Sequence, residues 1–171
     1  MSRLAFVFPG QGAQYPGMGQ ELALNYPEAA AIFTQADEIS PYPVSELCFT
    51  GPAERLNSTE FAQPALLTAS LAILAVVKKQ GIKPDLVAGL SLGEYTALVA
   101  AGSINFAQAL PLVQTRGRLM QEAVPQGKGA MAAVLGLEYE LVADVCRQTE
   151  GIVDIANLNC PGQLVISGES E

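Results

Sequence analysis

The chain has 171 residues, enough for one domain or for one domain and part of another. Half of the residues are hydrophobic and only 15% are charged, which provides for a sizeable core and excludes a disordered chain. The net charge of −8 excludes nucleic-acid binding through a broad basic surface. The cysteines, Cys48, Cys146 and Cys160, are odd in number and show no C-x-x-C spacing, which disfavours a disulfide framework or a zinc site.

The elements follow in chain order. Leu4 to Phe8 is a short apolar run stopped by Pro9-Gly10 and predicts a buried strand. The glycine-rich stretch PGQGAQYPGMG is then a loop, and Pro27 opens a helix through Ile39. SPYPVSELCFTGPAERLNST is turn-rich and predicts loops with one short helical turn. Gln63 to Gln80 is strongly apolar, ends in Lys78-Lys79 and meets Gly81, as a long buried helix would. Its run ALLTASLAILAVV is too short and interrupted to predict a membrane span, and the N-terminal apolar run is too short for a secretory signal. A cytoplasmic protein is expected.

Pro84 to Ala88 predicts the next strand and Leu92 to Ala101 the next helix, stopped by Gly102. Asn105 and Gln108 have capping-box spacing for a helix from Phe106 to about Val124. This order predicts a parallel α/β core. The texture changes across Pro125 to Gly129. Beyond lie a strand (Ala130 to Leu135), an amphipathic helix (Tyr139 to Thr149), a strand (Ile152 to Leu158), a turn at Pro161-Gly162 and a strand (Leu164 to Ser167). That is β-α-β-β, the opening of a split βαβ or ferredoxin-like unit. Such a unit continues with a further helix and strand, so the end at Glu171 reads as a truncation.

Gly89-Leu90-Ser91-Leu92-Gly93 is a G-x-S-x-G pattern between a predicted strand and helix. Chance produces the pattern in roughly 5% of chains this long, so the strand–turn–helix context carries the weight. It points to Ser91 as a nucleophile; the alternative is a serine helix cap. A serine hydroxyl needs a base, and the chain contains no histidine. An oxyanion hole would combine the N–H of Leu92 with an amide from another loop, for which the Gly10-Gln11-Gly12 turn is suited. The rival for that loop is phosphate binding. It lacks the Lys-Ser/Thr of a P-loop, and Tyr15 stands at the last glycine position of a dinucleotide fingerprint.

Arg116 lies at helical spacing from Leu112, Leu119 and Met120, with Ala109 and Ala123 on the same stripe, whereas Arg118 lies beside Gln114, Gln121 and Glu122. An arginine on an apolar face needs an anion partner or a route to water. It is either a structural ion pair or a guanidinium that takes a substrate carboxylate through two parallel hydrogen bonds.

Together FVFPGQGAQYPGMG, Phe61 to Leu66, GLSLGEYTALVAAG, RGRLMQEAVPQGKGAMAAV and NLNCPGQLVISG resemble the malonyl-CoA:acyl carrier protein transacylases of fatty acid synthesis, over essentially the whole chain. The resemblance implies an α/β-hydrolase-like parallel-sheet core (residues 1–127) with an inserted ferredoxin-like subdomain beginning at 128–171, incomplete at the C-terminus. It implies that Ser91 accepts the malonyl group, that Gln11 and Leu92 give the oxyanion amides, and that Arg116 holds the malonyl carboxylate. Gln63 and Asn159 fall in motifs lining the family's site, without a firm role. The implied partners are malonyl-CoA and acyl carrier protein, with no metal or other cofactor, no nucleic acid and no membrane. The family often has histidine where this chain has Leu90. Its catalytic histidine lies beyond the ferredoxin-like subdomain, so the base is expected outside these residues. The alternatives are a serine hydrolase or thioesterase on the same elbow and a non-catalytic fragment that binds the carrier protein.

Overall fold

The structure, a computed structural model, describes residues 3–124 and 127–170. Two of the residues at the expected change of texture, Pro125 and Gln126, lie outside the described ones. The chain divides into two compact units, Met1–Gln121 and Glu122–Glu171.

In the first unit β1 (Ala5–Phe8) and β2 (Leu86–Gly89) pair in parallel, with Ala5 opposite Leu86 and Phe8 opposite Gly89. Parallel strands need a long crossover. It consists of α1 (Gln20–Asn25), α2 (Pro27–Ile39), α3 (Val44–Thr50), α4 (Ala53–Asn57) and α5 (Thr59–Lys79). Pro27 stands at the start of α2, where its missing N–H has no intrahelical acceptor to lose. Ala29, Phe33 and Ala36, spaced four and three apart, form the buried face of α2. After β2 come α6 (Leu92–Ala100) and α7 (Phe106–Ala123).

The centre of the unit is α5, buried on nearly every side from Ala62 to Leu74. Thr68 resolves its buried hydroxyl by donating to the Pro64 carbonyl at 2.8 Å. This helix corrects the expectation drawn from its apolar run. At 21 residues and a mean hydropathy of 1.7 it is long and apolar enough to cross a bilayer, and 61% of that window is buried inside the protein. Burial, not length, makes it a core helix.

The capping box at α7 forms as expected: Gln108 N donates to Asn105 Oδ1 at 2.9 Å, and Asn105 N donates to Gln108 Oε1 at 3.2 Å. The stripe that α7 buries is Phe106, Ala109, Leu110, Val113 and Gly117. Leu112, Leu119 and Met120 are instead 54%, 53% and 47% exposed. The apolar face expected around Arg116 is therefore not a buried one, and Arg116 sits beside the buried stripe.

The second unit contains β3 (Gly129–Leu135), α8 (Tyr139–Gln148), β4 (Val153–Cys160) and β5 (Gln163–Glu169). The sheet order is β3-β5-β4, and both outer strands run antiparallel to β5. β3 and β4 are thus parallel to each other with β5 between them, and α8 is the crossover that joins them. Val142 and Cys146 of α8 pack on Leu164 of β5.

The helices before β2 differ from the sequence expectation in three ways. α1 lies between the glycine-rich loop and Pro27, where no element was expected, the turn-rich stretch holds both α3 and α4, and α5 begins at Thr59, four residues ahead of the expected start. α3 and α4 make no side-chain caps, and they bury Val44, Leu47, Cys48 and Leu56. Tertiary packing holds these short helices, which local propensity alone does not form.

Candidate active site

Ser91 joins β2 to α6 at φ 52° and ψ −105°, the one positive-φ residue other than glycine among the described residues. Such a backbone costs on the order of 1–3 kcal/mol and persists where the surroundings over-determine it. Here the flanking glycines allow it. A Cβ on Gly89 would lie 2.0 Å from the Gly93 carbonyl carbon, and one on Gly93 would lie 2.3 Å from the Phe8 carbonyl oxygen. Only glycine at both positions lets the start of α6 fold back onto β2 and sit against the end of β1. Ser91 occupies the N-cap position of α6, yet its side chain makes no cap hydrogen bond. The helix-cap alternative for this serine does not describe what its hydroxyl does.

The loop after β1 lies against the same elbow. Leu90 N donates to Phe8 O at 3.1 Å, and a Cβ on Gly10 would come within 2.9 Å of Leu90 O. Gln11 turns its side chain away, with Nε2 donating to Thr59 Oγ1 at 3.2 Å. Gln14 pins the turn from the other side: its Oε1 accepts from Gly12 N at 2.8 Å and its Nε2 donates to Asn57 Oδ1 at 2.9 Å. Among the described residues no acceptor takes the N–H of Gln11 or of Leu92. The latter is one of the free amides at the start of α6, where negative charge is favoured.

Arg116 reaches this elbow from α7. Its Nη2 donates to Ser91 Oγ at 2.9 Å and its Nη1 to Gln63 Oε1 at 2.5 Å. The Tyr95 ring centroid lies 5.8 Å from its guanidinium carbon. No carboxylate pairs with Arg116 among the described residues. Gln63 is fully buried in α5, and its Nε2 meets the Met120 thioether sulfur at 3.3 Å. The structure therefore brings Ser91, Arg116 and Gln63 into direct contact, with Leu92 next in chain and the Gln11 loop behind Leu90. Arg118 on the same helix is exposed.

Asn159 belongs to the second unit, where its Nδ2 donates to Gln163 Oε1 at 3.2 Å across the β4–β5 turn. Sequence reasoning missed Thr59, Gln14, Asn57 and Tyr95. The Gly12-to-Gln14 spacing, suited to a local side-chain-to-backbone turn, was the available signal for Gln14. The others meet the site only through the fold. Among the described residues no group of three or more His, Cys, Asp or Glu could hold a metal ion. Cys48 is buried beneath α5 with its Sγ 3.8 Å from Ala65 O, and burial, with a smaller push from the Asp37 charge, raises its thiol to about 12.

Comparison with known proteins places this geometry. The model of a family described as the acyl transferase domain matches residues 5–171. Malonyl CoA-acyl carrier protein transacylase of Bacillus subtilis is 52% identical over 174 residues, covering 100% of this chain and 55% of the relative. The crystal structure of malonyl CoA-acyl carrier protein transacylase from Clostridium perfringens superposes with a TM-score of 0.91 at 47% identity, covering 99% of this chain and 54% of that one. A type II PKS acyl-carrier protein in complex with its malonyl-transacylase gives a TM-score of 0.91 at 48% identity, covering 99% of this chain and 56% of that one. The chain thus has the mixed α/β fold of those structures and spans about half the length of the relatives it matches.

Proposed function

The chain belongs to the acyl transferase domain family, and from that premise we propose that it carries the nucleophile and the carboxylate-binding half of a malonyl-CoA:acyl carrier protein transacylase. The observation that carries the proposal is the hydrogen bond from Arg116 Nη2 to Ser91 Oγ, which sets an uncompensated cation at the nucleophile. Ser91 Oγ attacks the thioester carbonyl carbon of malonyl-CoA. The tetrahedral oxyanion is taken by the N–H groups of Gln11 and Leu92. The C–S bond then breaks, CoA leaves as its thiol after taking a proton, and the malonyl group stays on Ser91 as an ester. In the second half the phosphopantetheine thiol of the carrier protein attacks that ester and frees Ser91. The free energy is carried by the thioester, so the reaction calls for no metal or redox group. The chain contains no histidine, so the proton acceptor for Ser91 is not a histidine of these residues.

In this reading residues 1–127 are the first part of an α/β-hydrolase-like core, and 128–171 open a ferredoxin-like subdomain, whose split βαβ arrangement the β3-β5-β4 order supports. Asn159 falls in a motif that the resemblance links to the family's site and is given no firm role. The enzyme works in the cytoplasm. A thioesterase would use the same elbow but pass the acyl group to water. Arg116 favours a dicarboxylic acyl group over a plain fatty acyl chain, because its guanidinium, unmatched by any carboxylate of the described residues, can take the acyl carboxylate through paired hydrogen bonds.

Incubating the full-length protein with malonyl-CoA is expected to add one malonyl group, located on Ser91 by peptide mass spectrometry and lost in Ser91→Ala. A label on Cys48, Cys146 or Cys160 instead would refute the serine mechanism.

A further inference from the structure

A cation withdrawn from water is normally met by a carboxylate, because leaving it unpaired costs several kcal/mol. Arg116 is half-buried rather than withdrawn from water, and no carboxylate of the described residues meets it. Its contacts are the amide oxygen of Gln63, the hydroxyl of Ser91 and the π face of Tyr95, all uncharged. A guanidinium offers only donors, so the group that faces it from Gln63 must be the amide oxygen, and the amide nitrogen is left with the weak thioether acceptor of Met120. Gln63 is itself fully buried in α5, so its side chain has no freedom to follow the arginine elsewhere. The two hydrogen bonds use two of the five guanidinium N–H groups. Three remain to take a carboxylate.

We propose that Gln63 is a positioning and specificity-determining residue: its neutral amide fixes the guanidinium of Arg116 beside Ser91 while leaving the positive charge for the carboxylate of the incoming acyl group. This rests on the transacylase reading above and adds the reason for an amide at this place. A glutamate of the same size would hold the arginine more strongly, through a charge-assisted pair. It would also neutralise it, and the acyl carboxylate would meet a filled site and a like charge. An apolar residue would leave the charge but release its direction. The geometry therefore selects a neutral acceptor from among residues of this size.

The test compares kcat/KM for malonyl and acetyl thioesters in the full-length enzyme. Gln63→Glu is expected to lower malonyl transfer by about 100-fold, mainly through KM, in the range that broken buried charge pairs produce. Acetyl transfer should change by less than about threefold, because an acetyl group asks nothing of the guanidinium charge. Gln63→Met, close in volume and without an acceptor, is expected to lower the malonyl-to-acetyl ratio by about tenfold. Equal losses for the two thioesters in both variants would mean that Gln63 only supports the fold, and an unchanged ratio would mean that Arg116 needs no holder; either overturns the proposal. If Gln63→Glu does not fold, the ratio in Gln63→Met decides alone. The transacylase reading is judged separately, by the malonyl label on Ser91 of the unsubstituted enzyme. A positive label with an unchanged ratio defeats the Gln63 proposal and leaves the reading standing.

Discussion

Gly93→Ala tests whether the elbow is built by backbone contact. Two effects oppose each other. Alanine in a helix is favoured over glycine by roughly 0.5–1 kcal/mol, since it loses less backbone freedom. Against this, the added Cβ would stand 2.3 Å from Phe8 O and 2.8 Å from Pro9 O, where ordinary contact begins at 3.4 Å. Both obstacles are backbone atoms at the end of β1 and cannot rotate aside. Relief requires the start of α6 to withdraw from β1 by about 1 Å, the difference between those contact distances. Overpacking of this kind costs typically 1–3 kcal/mol, which exceeds the helix gain. A displacement of about 1 Å at a reacting group costs on the order of 10²-fold in rate. Gly93→Ala is therefore expected to lower the melting temperature by several degrees and kcat/KM for malonyl transfer by about two orders of magnitude. Gly102→Ala is the control. It has φ +77° and no atom within 4 Å of the new methyl, so it costs only the left-handed backbone penalty. Its kcat should not change. Unaltered stability and rate in Gly93→Ala would show that α6 does not rest on β1 as described.

Two further outcomes are expected. Arg116→Ala should lower malonyl transfer by about 2–4 kcal/mol of transition-state binding and acetyl transfer much less, whereas Arg118→Ala should do little to either; equal losses for the two thioesters would make Arg116 structural. Cys48, raised from 9.0 to about 12 by burial and then by Asp37, keeps its proton in the folded state while the unfolded thiol ionises. The stability this provides is whole below pH 9 and drains as pH rises toward 12, by about 1.4 kcal/mol per pH unit at most. Urea denaturation from pH 8 to 11 should show a shallower alkaline decline in Cys48→Ala; parallel slopes would refute it.

How much of this was legible depends on the range over which each signal acts. The start of α2 was carried by Pro27 and that of α7 by the Asn105–Gln108 box, each within a turn of the boundary it sets. The β2–Ser91–α6 elbow was legible because its glycines are part of the pattern. α1, α3 and α4 were not, since they are too short to form on propensity, and α3 and α4 depend on what Val44, Leu47 and Leu56 bury against. Arg116 was singled out for an apolar face that turned out to be half exposed at Leu112, Leu119 and Met120. Helical spacing says which residues share a face and not which face the core selects. The contact with Gln63 joins residues 53 apart in sequence, and no local pattern encodes it.

The Arg116–Ser91 contact also decides where a hydrogen atom can be. A hydroxyl is a rotor with one hydrogen and two lone pairs. A guanidinium supplies hydrogens and accepts none, so one lone pair of Oγ is committed to Nη2 and the seryl hydrogen must swing to the other side. The arginine thus acts on Ser91 before any acyl group arrives, as a compass for its O–H. Whatever group takes that hydrogen meets it turned away from the guanidinium, and need not compete with α7 for its direction.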